Sequence, residues 1–192
     1  MSKRRVLSSR STAIHEAGHA VACYRFWPTR YVGDLTIVED RENNAAGSHE
    51  TLEALEFPWS DDSEEQARQD AEFEKGAIYY CAGYAATIVA GIPEADAARG
   101  AWSDFERAEH CTRVPLATSK QRAVELMTRP ENVAAVTRLA DELIARGTIP
   151  SEEIDFLIDI ADGNATEEDY KRFVLLRNRA PSPDPVEDDP VE

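Results

Sequence analysis

The stretch that decides the fold is residues 11–27, which read STAIHEAGHAVACYRFW. Its apolar residues recur at helical spacing, and Pro28 follows directly, so the pattern predicts one helix over 11–27. His15 and His19 stand four residues apart, which places both imidazoles on one face of that helix. Because most of the remaining residues are small and apolar, we expect the helix to lie in the protein core.

The two histidines and Glu16 form the pattern His-Glu-x-x-His, which is typical of zinc peptidases. Two imidazoles on one helical face can occupy two corners of a zinc tetrahedron. Glu16, one residue after His15, can then act as the base that takes a proton from a water molecule. The alternative is an incidental surface pair, which the apolar flanks disfavour because buried, unpaired polar rings are costly.

A catalytic zinc ion needs a third protein ligand and an open position for water. The metzincin pattern would require glycine at position 22 and histidine at position 25, and the sequence has Ala22 and Arg25 there. That class is therefore excluded. Three third-ligand candidates remain, and the spacing alone does not choose among them: His49, His110 and Asp104.

The rest of the chain predicts a mainly helical fold with one small β element. Extended segments are expected at Asp34–Glu39 and near Ser48–Leu52, separated by a turn at 43–47. Capping patterns and proline or glycine punctuation predict the other helices. These are expected at about 64–91 after Ser63, at 104–113 after Ser103, from Thr118, from Pro130 to Arg146 before Gly147, from Ser151 to Ile160, and from Thr166 to about Asn178.

Composition sets limits on domains and partners. The 192 residues suit one domain over 11–179, with a flexible basic arm at 1–10 and a disordered, acidic, proline-rich tail at 180–192. The net charge of -16 excludes a nucleic-acid surface and a basic membrane-binding face. Three cysteines without paired spacing indicate free thiols in a reducing compartment, so we expect a cytoplasmic protein.

Several segments resemble, in order, the peptidase domain of the FtsH family of zinc metalloproteases. The segment TAIHEAGHAVA resembles the zinc helix of that family, and GDLTIV at 33–38 resembles its next strand. Residues 82–86 (AGYAA) and 100–108 (GAWSDFERA) resemble the block that carries its third ligand, and LADELIARGTIPSEEI at 139–154 resembles its closing helix pair.

The resemblance implies a zincin-like helical peptidase domain of the FtsH type. It also implies that Asp104 is the third zinc ligand beside His15 and His19, with Glu16 as the catalytic base. Trp102 stands where the family has a small residue, so we expect a narrower rim at the site. No Walker motif and no apolar membrane anchor occur in the sequence, so the implied activity is peptidase activity without an ATPase in this chain.

These observations predict a metalloendopeptidase that cleaves peptides or unfolded protein segments. A homo-oligomer or a separate ATPase partner would be compatible with the resemblance. The alternative hypothesis is a catalytically inactive module of the same fold that binds peptides or regulates a partner. The position of Asp104 relative to the two histidines distinguishes a built metal site from incidental residues.

Overall fold

The computed structural model describes residues 2–28, 31–38, 48–51, 62–111 and 114–177. Within these ranges the chain is mainly helical, with one small antiparallel sheet, as the sequence predicted. The helices are α1 Ser2–Phe26, α2 Ser63–Val89, α3 Glu94–Gly100, α4 Trp102–Cys111, α5 Leu116–Met127, α6 Pro130–Arg146, α7 Ser151–Ala161 and α8 Glu167–Arg177. The strands are β1 Tyr31–Thr36, β2 Ser48–Thr51 and β3 Thr148–Ile149.

Helix α1 occupies the centre of the molecule and packs against α2, α6 and β1. Its crossing with α2 is close because Gly18 has no side chain: a Cβ there would lie 2.7 Å from the Ala82 carbonyl oxygen and from Ala86 Cβ. Small residues on both helices, including Ala17 and Ala85, are fully buried along this contact. The two long helices therefore approach each other at the turn that carries the histidines.

The sheet has the strand order β2-β1-β3, and both pairs are antiparallel. Leu35 lies opposite His49 on one side and Ile149 on the other, and both Leu35 and Ile149 are fully buried. Strand β3 was not predicted, since two residues are too few to show a pattern. It forms because Gly147, at φ 81°, ends α6 and turns the chain back toward β1.

Two predicted boundaries were wrong, and one helix was missed. Helix α1 begins at Ser2 rather than at residue 11, because residues 2–10 contain no glycine or proline to stop a helix extending from the core. Strand β1 spans Tyr31–Thr36 rather than 34–39, because the amide of Val38 turns back to the Thr36 hydroxyl. The short helix α3 was not predicted at all.

Capping predictions were partly right. The side chain of Asp62, rather than Ser63, caps α2 by accepting hydrogen bonds from the amides of Glu64 and Glu65. An ionised carboxylate outcompetes a hydroxyl at a helix N-terminus. At α8 the predicted capping box is confirmed: the Thr166 amide donates to Asp169 and the Asp169 amide to Thr166.

The other three predicted capping residues lie inside their helices rather than before them: Ser103 in α4, Thr118 in α5 and Ser151 in α7. Helix α5 begins at Leu116, directly after Pro115, and α4 at Trp102, both earlier than predicted. Helix α7 begins at Ser151 itself, directly after Pro150, so Ser151 is its first residue rather than its cap. Proline fits this position because its missing N–H is not needed there and its φ suits a helix start. The turn predicted at 43–47 and the tail at 180–192 lie outside the described residues.

Candidate metal centre

Two imidazoles from α1 form the base of the site. His15 and His19 are one turn apart, with their Nε2 atoms 3.1 Å from each other and their ring centroids 4.8 Å apart. His19 is buried and His15 is half-buried. The His19 ring is therefore held deep in the core while the His15 ring lies nearer the surface, as expected for a site that is open on one side.

Asp104 completes the cluster from the first turn of α4. Its Oδ2 lies 3.0 Å from His15 Nε2 and 3.3 Å from His19 Nε2. Burial alone would raise the pKa of Asp104, but the hydrogen bonds and charges of His15 and His19 outweigh it and hold the pKa well below its ordinary value. Asp104 is consequently an ionised carboxylate that faces both imidazoles.

The cluster has the donor set and spacing of a zinc site. Its three ligand atoms, two nitrogens and one carboxylate oxygen, all lie within 4.8 Å of one another. Ligands at zinc-bond lengths of about 2.0–2.1 Å on a tetrahedron lie about 3.3 Å apart. The observed separations of 3.0, 3.1 and 3.3 Å are close to that value, so these residues fit a single zinc ion.

Helix α2 fixes the orientation of the deeper imidazole. His19 Nδ1 lies 3.0 Å from the main-chain carbonyl oxygen of Tyr79. Since a carbonyl oxygen only accepts, the ring donates from Nδ1, and in the tautomer protonated at that atom Nε2 is the nitrogen that can bind a metal ion. A hydrogen bond of this kind is the usual support for a metal-binding histidine.

Gly83, also on α2, leaves the space in which the two imidazoles lie. A Cβ at this position would lie 2.6 Å from His19 Nε2 and 2.7 Å from His15 Nε2. Real Cβ atoms do not approach that closely, so the rings could not keep this arrangement beside a larger residue. Sequence reasoning missed this role, as well as that of the Tyr79 carbonyl, because both depend on how α2 crosses α1.

Glu16 lies beside the cluster and is buried. Burial raises its pKa to about 7, with Asp104 adding to the rise and His15 opposing it. Among the described residues, its carboxylate has no hydrogen-bond partner. A buried carboxyl group with a pKa near neutrality is suited to accept and return a proton at physiological pH.

The structure also places the other sequence candidates. His110 is exposed at the end of α4, where its Nδ1 hydrogen-bonds the Glu106 carbonyl oxygen, and it does not join the cluster. His49 lies in strand β2, and its side chain is outside the described part of the structure. Cys23, one turn after His19, is buried in the core, and Trp102 is 68% exposed at the start of α4.

No known protein-family model matches this chain, and no curated protein matches it either. The likeness to the FtsH family therefore depends on the motifs quoted above. Across the described residues, no helix combines the length and the apolar character that crossing a bilayer requires.

Proposed function

We propose that this protein is a zinc-dependent metalloendopeptidase of the FtsH type, with His15, His19 and Asp104 as zinc ligands. The observation that carries the proposal is the convergence of three ligand atoms, from two helices far apart in sequence, at separations that suit zinc. Glu16 follows the first ligand and lies in the same buried environment. This combination of a three-residue ligand set and an adjacent carboxylate is the minimum that zinc-assisted hydrolysis needs.

The residues act in a defined order in this proposal. A zinc ion at the site would polarise a water molecule and lower its pKa. Glu16 would accept a proton from the attacking water molecule as the water oxygen bonds to the peptide carbonyl carbon. Glu16 then delivers the proton to the amide nitrogen as the C–N bond breaks, which yields a carboxylic acid and an amine. The Tyr79 carbonyl keeps the His19 ring in the required tautomer throughout.

We propose peptides or unfolded segments as substrates, within the cytoplasm. Strand β2 forms one edge of the sheet and packs against α1, the helix that carries both histidines. A strand edge can bind an extended chain through main-chain hydrogen bonds. A folded protein does not offer an extended chain. Cleavage of folded proteins would therefore need a separate ATPase partner or a homo-oligomeric assembly that presents them in an unfolded form.

The test compares the wild-type chain with Glu16→Gln, a variant that keeps all three ligands. Zinc content is measured by mass spectrometry, and cleavage of an unfolded casein is followed with and without a zinc chelator. We expect both proteins to bind zinc, and the variant to cleave roughly 100-fold or more slowly, the usual contribution of a general base.

Each remaining outcome contradicts part of the proposal. A wild-type chain that binds no zinc contradicts the metal site. Equal cleavage by the wild type and Glu16→Gln contradicts the role of Glu16. A chain that binds zinc and captures casein without cleaving it would be the peptide-binding module of the alternative hypothesis.

A further inference from the structure

The third ligand of the candidate site, Asp104, lies on a short helix that few side chains hold in place. Helix α4 has ten residues, Trp102–Cys111, and a helix of fewer than about 12 residues is only marginally stable without tertiary contacts. Its buried residues are Asp104, Phe105 and Ala108. Phe105 is the one large apolar side chain among these three, so the packing of Phe105 largely decides where Asp104 lies.

Phe105 packs against Tyr84, the residue that follows Gly83 on α2. Both rings are buried, with their centroids 5.2 Å apart and an angle of 73° between their planes. The Tyr84 hydroxyl also donates a hydrogen bond to Glu94 of α3, at 3.1 Å. Since Gly83 lies directly against both imidazoles, this ring pair joins α4 to the part of α2 that contacts the other two ligands.

Lys120 of α5 completes this contact from a third side. Its Nζ atom lies 3.5 Å from the centroid of the Phe105 ring and 5.3 Å from that of the Tyr84 ring. Lys120 is half-buried, and within the described ranges its ammonium group forms no ion pair with a carboxylate and donates no hydrogen bond. The partial loss of water around an ammonium group is costly, and the partial negative charge on the face of an aromatic ring offsets that cost. The two rings are therefore what the Lys120 ammonium group binds.

The contact with Lys120 strengthens the hold on the ligand helix, because α4 otherwise packs mainly against α2 and only slightly against α5. We propose that Lys120 is a positioning residue of the metal site. Its ammonium group holds the Phe105 ring in place and thereby keeps Asp104 within 3.0–3.3 Å of the two imidazole nitrogens. Residues that support metal ligands affect how tightly the metal is bound. The inference rests on the metal site of the proposed function.

The test compares three single substitutions in the full chain. Lys120→Met removes the charge and keeps an apolar side chain of similar length, whereas Lys120→Arg keeps a cation that also stacks on ring faces. Lys171→Met removes the same charge from an exposed position on α8 and is the matched control. Zinc affinity is measured by competition with a zinc-binding dye, and urea unfolding without metal shows whether each variant is folded. We expect Lys120→Met to bind zinc roughly 10-fold more weakly, and the other two variants to bind it as the wild type does.

A second background separates the positioning of Asp104 from a general effect on the fold. In Asp104→Ala only the two histidines remain as ligands, and calorimetric titration measures their weaker zinc binding. If Lys120 acts through Asp104, adding Lys120→Met to this variant should leave its zinc affinity unchanged, because the group that is positioned has been removed. The effects of the two substitutions are then non-additive, as expected for residues that act through one another.

Wild-type zinc affinity in a folded Lys120→Met protein would overturn the inference, and so would an equal loss of affinity in the wild-type and Asp104→Ala backgrounds. Either result leaves the peptidase proposal intact. A wild-type chain that binds no zinc would contradict the metal site, and the inference with it. Zinc binding without cleavage of casein would contradict the peptidase proposal alone, because the affinity measurements do not involve turnover.

Discussion

Gly83 is the residue on which the geometry of the cluster depends most directly. It lies on α2 where that helix passes the two imidazoles, and any Cβ would lie 2.6–2.7 Å from their ring atoms. Gly83→Ala should therefore displace both rings and weaken zinc binding by roughly 10–100-fold, the range seen when support of metal ligands is lost. Competition with a zinc-binding dye measures the affinity.

Gly100→Ala is the matched control for this substitution. Gly100 is likewise a helical glycine, at the end of α3, but a Cβ there would meet nothing within 4 Å. We expect unchanged zinc affinity in this variant. Urea unfolding without metal is measured in parallel, so that a loss of fold is separated from a loss of ligand geometry. Wild-type zinc affinity in a folded Gly83→Ala protein would show that the rings tolerate a side chain.

The residues of the candidate site differ in how far the sequence alone could identify them. His15, Glu16 and His19 follow from spacing along a single helix, because four residues make one turn whatever the tertiary fold. Asp104 could be singled out through the family resemblance alone, since 85 positions separate it from His19. The contributions of Gly83 and the Tyr79 carbonyl depend on the crossing of α1 and α2, for which a single sequence contains no distance information.

Among the helices, α8 stands apart because none of its residues is buried. It is held through Glu153 of α7, a fully buried carboxylate that accepts hydrogen bonds from Arg146 at 2.5 and 3.1 Å. Tyr170 and Arg177 reach the same carboxylate from α8. Burial tends to raise the pKa of Glu153, but the hydrogen bonds from Arg146 and Tyr170 and the two arginine charges lower it overall.

Neutralising this carboxylate should loosen α8. Glu153→Gln leaves two arginines without their shared anion, and we expect the free energy of unfolding to fall by about 2 kcal/mol, less than for a fully buried pair because both arginines are partly exposed. Urea unfolding measures the change, and hydrogen exchange should show faster exchange in α8. The exposed neighbour Glu152 gives the control, Glu152→Gln, with a change within about 0.5 kcal/mol. Equal stability of both variants would contradict this role.

It was easier to predict from the sequence that a helix is present than to predict the residues at which it begins and ends. The box at Thr166 and Asp169 and the glycine stop at Gly147 were readable because each depends on local chemistry. Strand β3 and the extension of α1 to Ser2 were not readable, because pairing with β1 and continuation of a core helix are decided outside the segment concerned. Local signals thus located all the described helices except α3, and tertiary contacts set their limits.

At the scale of the whole molecule, α1 links the candidate metal site to the C-terminal half. Beyond the histidines, the Tyr24 hydroxyl donates to Asp159 of α7 at 2.8 Å, and Arg25 forms two hydrogen bonds with Asp162 at 2.6 and 2.7 Å. Asp155 lies one turn before Asp159, and its Oδ1 is buried without a hydrogen-bond partner. Burial, with a smaller contribution from the Asp159 charge, raises the pKa of Asp155 to about 6.

This raised pKa gives the stability of the fold a specific pH dependence. The native state holds the Asp155 proton more tightly than the unfolded chain does, so the stabilisation present at low pH is lost as pH rises through about 4 to 6. Asp155→Asn removes that titration. Its free energy of unfolding, relative to wild type, should therefore increase by about 1 kcal/mol between pH 4 and pH 7, a value reduced for partial exposure of the group.

Urea unfolding of metal-free wild type and Asp155→Asn is measured between pH 4 and pH 7. Subtracting the two free energies of unfolding cancels the contributions of the titrating groups that both proteins share. The exposed Asp70 on α2 provides the control, because Asp70→Asn should give a curve parallel to wild type. A difference between Asp155→Asn and wild type that stays constant with pH would contradict the prediction, because it would show that Asp155 titrates with the same pKa in the native and unfolded states. The prediction is confirmed if the free energy of unfolding relative to wild type rises with pH in Asp155→Asn and not in Asp70→Asn. Asp155 would then be a protonated carboxyl group at the junction of α1 and α7. Its neutral form would let the two helices pack with the Asp159 and Asp162 hydrogen bonds intact.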